Sequence, residues 1–363
     1  MRLTLATLAV FCALVFPAFG GTLFLGGYPN LILVVDESQG KVIDKIPLST
    51  GLPMSMQLSD DRKKIYVITN DHSGIEVIDV ATRKEIDDFV LNTPTKHYRL
   101  NGGTVDPQGK SFYTVTVEID KQPEHYDIGK PKYTVVDLAQ KKIVKTVDVA
   151  PEDENGAMGG YGRNLFQISP DGKFLYQFRD KVVVLNSADF SVIDRLDFTK
   201  PDMPGVDTFG FGGRVDNLSE PGKYISFFNA TDPVVHNRVF GIARFDLMTR
   251  EVDFNPIGPV PSGMAGFQVT PDKKNAYTIV ATGQHGNKRC EFWAFDLSND
   301  RITKTAEVPC RTRFSLGMSS DGKKLYIFGA GYDIEVYDAA TLKYERTWDL
   351  RNDVTGAGMI VLP

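Results

Sequence analysis

Four arginines recur at one position relative to a repeated turn sequence. Arg99, Arg163, Arg214 and Arg313 each lie five to seven residues before the Ser or Asp that opens the turn. A guanidinium group binds a carboxylate through two parallel hydrogen bonds. If each arginine begins the innermost strand of a repeated unit, the four would surround a channel mouth. We therefore expect an anion site for a small acid or for an acidic side chain of a partner. Pairing with nearby acids or backbone carbonyls is the structural alternative.

The histidines do not form a metal-binding motif. No two of them lie within five residues of each other, so there is no local pair of ligands; they are His72, His97, His125, His236 and His285. The chain also has no Cys-x-x-Cys-His motif for haem and no cysteine cluster for iron–sulfur. We therefore expect no metal and no cofactor. His97, two residues before Arg99, is kept with the arginines as a candidate binding residue.

Two cysteines, Cys290 and Cys310, remain once the first 20 residues are set aside. An even number in an exported chain favours a disulfide over reactive thiols. If Leu297 faces Ile302 across a strand–turn–strand, Cys290 faces Pro309, one residue from Cys310. A bulge at Pro309, which has no amide hydrogen to donate, would bring the two sulfur atoms together. The sequence therefore predicts a Cys290–Cys310 disulfide.

The elements that must position these residues are short repeated strands. The segment "EVIDVATRKEI" is one of seven related copies. Each copy is a strand, a turn and a strand around an Asp or Asn, at Asp36, Asp79, Asp137, Asn186, Asp246, Asp296 and Asp338. Successive copies are 42 to 60 residues apart, a spacing typical of propeller blades. A second turn of the type "SPDG" precedes six of them. We predict an all-β, seven-bladed β-propeller with four-stranded blades.

The recurring Asp is interpreted as a turn residue, not as a catalytic one. Asp and Asn side chains accept hydrogen bonds from backbone amides two residues further on, and so close turns. A catalytic residue is needed at only one place in a protein. A residue that recurs in every blade therefore stabilises the blade itself.

The two ends of the chain explain why the "SPDG" turn occurs only six times. Residues 21–48 supply three strands of a first blade, and residues 356–363 supply one more strand. If the ends share a blade, the ring closes without a free sheet edge. We therefore expect one domain, residues 21–363, whose first blade is closed by the C-terminal strand.

Residues 1–20 have the pattern of a secretory signal peptide. Arg2 precedes an apolar run that ends at Phe16, and Ala18 and Gly20 stand where cleavage requires small residues. This run is too short for a membrane span, and no other stretch is long enough. The formal charge of −5 becomes more negative when Arg2 is removed, which argues against nucleic-acid binding. We expect a periplasmic or secreted protein without a membrane span.

The repeats resemble those of the bacterial YVTN family of β-propellers. That family joins a Ser-Pro-Asp-Gly turn, a Tyr-Val strand and a Val-Ile-Asp turn, which are matched here by residues 169–172 and by residues 77–79 with Thr82. The Tyr-Val-Thr-Asn strand is imperfect, since residues 66–70 contain an extra Ile68.

The blade order, and the insertion before "YTVVDLAQKK", also resemble the β subunit of quinohaemoprotein amine dehydrogenase over most of residues 22–363. In that enzyme family other chains carry the quinone and the haems. The resemblance therefore implies a non-catalytic subunit, or a relative that has lost its partners.

The two faces of the predicted propeller differ. The short-turn face carries the turns between the first and second, and the third and fourth, strands of each blade. The loop-rich face carries the other connections, which are long and irregular, and long loops often carry function. Tyr126 and Tyr161 are candidate anchors for a partner there.

We therefore expect a non-catalytic binding or scaffold protein. Its partner would be a protein or a small anion on the loop-rich face. Membership of a periplasmic amine-dehydrogenase-type redox complex is implied by the resemblance alone. The alternative is a propeller enzyme of the lactonase type, which would need acids and bases to converge at the channel mouth.

Overall fold

The computed structural model describes residues 20–69, 73–154, 166–178, 181–198, 208–211, 222–231, 234, 236–283, 285–311, 313–329 and 331–363. Within them the chain is almost entirely β-strand, and helical structure is limited to short turns such as Pro151–Asp153 and His285–Asn287. Neighbouring strands pair antiparallel, and the sheets follow one another along the chain in a β-propeller arrangement. The predicted signal peptide lies outside the described residues, apart from Gly20.

Five of the described sheets are built from consecutive strands. The first two contain β4 to β7 (Pro53–Leu58, Lys64–Thr69, Gly74–Asp79, Lys84–Val90) and β8 to β12 (Lys96–Leu100, Thr104–Val105, Ser111–Lys121, Tyr126–Asp137, Lys142–Asp148). The third contains β13 to β16 (Phe166–Ile168, Phe174–Phe178, Val182–Asn186, Val192–Leu196). The last two contain β17 to β20 (Thr208–Phe211, Lys223–Thr231, Arg238–Asp246, Val252–Pro259) and β21 to β24 (Gly263–Val269, Asn275–Thr282, Arg289–Asp296, Arg301–Val308).

The remaining sheet joins the two ends of the chain. Its seven strands lie in the order β25, β26, β27, β28, β1, β2, β3. They are β1 to β3 (Thr22–Gly27, Leu31–Asp36, Lys41–Pro47) and β25 to β28 (Ser315–Met318, Lys324–Phe328, Gly331–Asp338, Tyr344–Leu362). The long β28 pairs with β27 through its first half and with β1 from Val354 to Leu362. The predicted contact between the C-terminal strand and residues 21–48 is therefore present.

The recurring Asp closes turns, as predicted. Asp79 accepts hydrogen bonds from the Thr82 amide at 2.7 Å and from the Thr82 hydroxyl at 2.6 Å. These bonds hold the pKa of Asp79 below its usual value, the hydroxyl bond contributing most. The residue four places after each recurring Asp or Asn has a positive φ, as Arg83 does at 56°. The turn is thus one backbone motif used repeatedly, and it keeps the same conformation although the residue with positive φ differs in type from turn to turn.

The strand that follows each of these turns contains a β-bulge. In each case one extra residue interrupts the ladder: Ile43, Ile86, Val144, Ile193, Ile257, Thr303 and Glu345. A bulge bends an edge strand and increases its twist, which discourages pairing with another chain. The propeller therefore protects its outer edges by one device that recurs along the whole chain.

The core lies between neighbouring sheets. Between the β13–β16 and β17–β20 sheets, Phe178 stacks on Tyr224 with ring centroids 3.8 Å apart, and both residues are buried. Polar side chains on innermost strands also join neighbouring sheets, since Gln57 donates to the Thr104 hydroxyl at 3.1 Å. The inner strands of neighbouring sheets thus bury their side chains against each other.

Candidate binding face

The most prominent feature of the loop-rich face is a sheet extension. Strands β10 and β11 contain 11 and 12 residues and continue beyond their neighbour β12, which pairs with β11 only from Lys132 onwards. On the other side, β8 pairs with the second half of β10, from Thr116 to Asp120. Three strands therefore project together, and we call this part the projecting sheet (residues 96–100, 116–121 and 126–131).

Three predicted binding residues lie in the projecting sheet. His97 and Arg99 lie in β8, opposite Ile119 and Val117, and Tyr126 begins β11. His97 and Arg99 are half-buried, and the Tyr126 side chain is 66% exposed. The structure thus brings these three residues into one small sheet.

The other predicted arginines and Tyr161 are not part of this group. Arg313 is exposed and lies two residues before β25, in a different sheet. Arg163, Arg214 and Tyr161 lie outside the described residues. The innermost strand of the β17–β20 sheet begins at Thr208. The predicted ring of four arginines remains a prediction.

One arginine that the sequence analysis missed has strong internal partners. Arg311 donates to Asp333 at 2.8 Å, and its side chain is only 18% exposed. Glu335 lies 3.6 Å from the same guanidinium. Pairing with nearby acids, the structural alternative for the predicted arginines, is therefore seen at Arg311, two residues before Arg313. The repeat spacing gave no signal for Arg311.

Two exposed tyrosines on the loop-rich face were also missed. Tyr28, between β1 and β2, and Tyr332, near the start of β27, are both 60% exposed. Like Tyr126, they lie at the connection between the second and third strands of a unit. The segment "GGYPN" was a usable signal, because a tyrosine beside Pro and Asn in a short loop has little core to enter.

Cys290 and Cys310 are placed as a disulfide-capable pair, with sulfur atoms 2.13 Å apart and Cα atoms 5.2 Å apart. The predicted register was wrong. Beside the turn the error is two residues, since Phe295, not Leu297, lies opposite Ile302, and at Cys290 it is one residue, since Cys290 lies opposite Val308, not Pro309. The bulge that shifts the ladder is at Thr303 instead of Pro309. The extra residue is therefore the third residue of β24, seven residues after the recurring Asp296, which is the spacing at five of the other six bulges.

A buried carboxylate lies where the seven-stranded sheet meets the β4–β7 sheet. Glu76 is fully buried and accepts hydrogen bonds from the Thr50 amide and hydroxyl, both at 2.6 Å, through one oxygen. Burial, and then the charge of Glu76, raise the pKa of the nearby Glu85 to about 7. Glu85 therefore binds its proton at a higher pH than a glutamate in water does.

The short-turn face also has a cavity of about 310 Å³, lined in part by Arg62, Lys273, Ser319 and Ser320. Its serine hydroxyls already have acceptors, since Ser319 donates to Asp321 at 2.7 Å and Ser320 donates to Glu37 at 2.5 Å. These contacts close turns and join sheets. In the part of the chain that the structure describes, no three His, Cys, Asp or Glu side chains are grouped to hold a metal.

Comparison with known proteins supports the fold. No family model matches the chain, and no curated protein matches its sequence. Among solved structures, hydrazine synthase from Kuenenia stuttgartiensis aligns with a TM-score of 0.52 and 15% identity, over 86% of this chain and 90% of that chain. Apo AztD from Citrobacter koseri aligns with a TM-score of 0.54 and 15% identity, over 94% and 98%.

A third structure, the dihydro-heme d1 dehydrogenase NirN in complex with DHE, aligns with a TM-score of 0.53 and 14% identity, over 95% of this chain and 76% of that chain. At such identities the likeness shows the β-propeller fold alone.

Among the described residues, no helix has the length and hydropathy needed to cross a bilayer.

Proposed function

We propose that this chain is an exported, seven-bladed β-propeller that binds a protein partner through its loop-rich face and has no catalytic activity of its own. A subunit-like role in a periplasmic amine-dehydrogenase-type redox complex is the specific form of this proposal, and it rests on the sequence resemblance. The observation that carries the binding role is the exposure of Tyr28, Tyr126 and Tyr332 on that face.

The blade count of seven is supported by the edge bulges. Six of them lie seven residues after the recurring Asp or Asn, and the seventh, Ile257, lies further along β20. Two of these bulged strands, at Ile43 and Glu345, belong to the seven-stranded sheet. We therefore interpret that sheet as two blades, which meet where β28 passes from β27 to β1.

Exposed tyrosines support a binding role for a physical reason. A tyrosine has a large apolar ring with few rotatable bonds and a polar hydroxyl, so it contributes contact area at a low entropy cost. In the core of this protein aromatic rings are paired and buried, as Phe178 and Tyr224 are. Three tyrosines left in solvent on one face have no such role in the fold.

Capture of a partner tests the proposal. The mature chain, carrying an affinity tag, is incubated with a periplasmic extract of its own cell, and captured proteins are identified by mass spectrometry. We expect Tyr126→Ala and Tyr332→Ala to reduce capture of the same protein several-fold.

The matched control is Tyr344→Ala, because Tyr344 is 56% exposed but follows the last short turn. The proposal fails if no protein is captured specifically, or if Tyr344→Ala reduces capture as much as the other two substitutions do.

A further inference from the structure

The projecting sheet has one face that combines cations with apolar side chains. Residues opposite each other in an antiparallel ladder point their side chains to the same face. His97 lies opposite Ile119, Ile119 lies opposite Ile128, and Lys121 lies opposite Tyr126. The face, which we call the cationic–apolar face, consists of His97, Arg99, Val117, Ile119, Lys121, Tyr126 and Ile128.

The acids of the projecting sheet are on its other face. Lys96 forms ion pairs with Glu118 and, at 3.4 Å, with Asp120, and these contacts raise the pKa of Lys96, the Glu118 hydrogen bond most of all. Asp127 lies opposite Asp120 and 3.3 Å from His125. Among the described strand residues of this sheet, the carboxylates and the cationic–apolar side chains are therefore separated.

Acids near the base of the projecting sheet are already paired. Lys130 of β11 lies 3.0 Å from Glu154, in the segment that follows β12. Asp153, which is 1% exposed, and Glu152 each lie 3.0 Å from Arg195. These carboxylates join the β8–β12 sheet to the next sheet.

The apolar part of the face is open at its outer end, beyond the buried Val117. Ile128 is 72% exposed and Tyr126 is 66% exposed, although the chain buries most of its large apolar side chains. An open sheet cannot enclose a small acid, because small-ligand sites are concave and bury most of the ligand. A longer molecule can lie across the face and cover both the cations and the apolar pair.

We propose that the cationic–apolar face docks an extended, acidic segment of a protein partner. Carboxylates of the segment meet Arg99 and Lys121, and an apolar side chain covers Tyr126 and Ile128. The charge separation steers the segment to this face and away from the acidic one, and the apolar contact slows its release. This inference rests on the proposed binding function and adds the chemistry of the partner.

A synthetic peptide tests the inference directly. A labelled ten-residue peptide of alternating Glu and Leu is titrated with the full mature protein at low salt, and binding is followed by fluorescence anisotropy. We expect binding that weakens roughly tenfold in Arg99→Gln, Lys121→Gln or Tyr126→Ala, as expected for loss of one charge-assisted or aromatic contact. A peptide of alternating Lys and Leu should not bind.

The matched control is Lys96→Gln, which removes one cation from the opposite face of the same strand and should leave the affinity unchanged. Lys121 is exposed, so its variant tests the inference even if Arg99→Gln fails to fold. Equal binding of the Lys peptide, equal weakening in Lys96→Gln, or binding of a ten-nucleotide oligo-dT with the same sensitivity to these variants would overturn the inference.

Failure of the inference can be distinguished from failure of the proposed function. If Tyr126→Ala lowers capture of a native partner but the acidic peptide does not bind, the binding function stands and the acidic partner is wrong. If neither occurs, both proposals fall.

Discussion

The short-turn face and the loop-rich face of this propeller are built by different uses of polar residues. On the short-turn face, polar side chains serve the backbone: Ser169 donates to Asp171 at 2.6 Å, and Asp171 in turn accepts from the Lys173 amide. On the loop-rich face, the projecting sheet leaves Tyr126 and Ile128 in solvent. A polar residue that recurs in the turns therefore has a structural role, whereas an exposed apolar residue that occurs once is a candidate contact for a binding partner.

The largest effect should come from an ion pair beside the short turns. Arg244 donates to Asp300 at 2.6 Å, and Asp300 is only 4% exposed. Arg244→Ala leaves a buried carboxylate without its cation, so we expect a loss of about 3 kcal/mol in the free energy of unfolding. Urea unfolding measures the loss. At a temperature where the variant is folded, it should capture the partner as well as the wild type does. Weaker capture by the folded variant would contradict a purely structural role for the short-turn face.

Loss of the disulfide should have a similar effect at the loop-rich end. Cys290 and Cys310 are 20 residues apart in sequence, and closing a loop of this size stabilises a fold by about 3 kcal/mol. Mass measurement of residues 21–363, purified without reductant, should show no free thiol. Cys310→Ser should lower the urea concentration at the midpoint of unfolding. Equal midpoints for oxidised and reduced wild-type protein would contradict the prediction.

A single turn Asp should contribute less. Asp79→Ala removes the acceptor for the Thr82 amide and hydroxyl, so we expect a smaller loss in the free energy of unfolding than for the two preceding changes. The folded pKa of Asp79 is lowered, so its contribution is complete above its unfolded pKa and is lost as pH falls below that value. Urea unfolding at pH 7 and pH 3 should show the difference between wild type and variant shrinking at pH 3. If Asp79→Ala changed partner capture and not stability, the turn Asp would have a binding role, contrary to the prediction.

The smallest effect should be a pH dependence that comes from Glu85 in the β4–β7 sheet. The folded pKa of Glu85 is raised to about 7, above the ordinary value of 4.5, so the folded state binds the extra proton in this window. Stability should therefore fall as pH rises from about 4.5 to 7, by roughly 1 kcal/mol after solvent screening. Glu85→Gln should remove this slope in unfolding measured across the window. An unchanged slope in the variant would assign the effect to other groups.

Much of the fold could be predicted because the repeated signals are local. The position of the recurring Asp, the turn amides it accepts and the strands on either side all lie within a few residues of one another. The contact between β28 and β1 could be predicted as well. Residues 21–48 supply only three strands of a four-stranded blade, and residues 356–363 supply one strand without a blade of its own. The bulges could not, since Thr303 and Ile43 have no common side-chain type and only the ladder shows which residue is extra. That is also why the predicted partner of Cys290 was wrong by one residue.

The candidate site shows where sequence reasoning stops. The sequence by itself determined the all-β repeats, the structural role of the turn Asp and the pairing of Cys290 with Cys310, because each follows from neighbouring residues or from a count. Only the tertiary structure decided that His97, Arg99 and Tyr126 share one sheet, and that Arg311, not a predicted arginine, is held by Asp333. The physical reason is strand register: a shift of one residue turns a side chain from one face of a sheet to the other, and no local pattern records it.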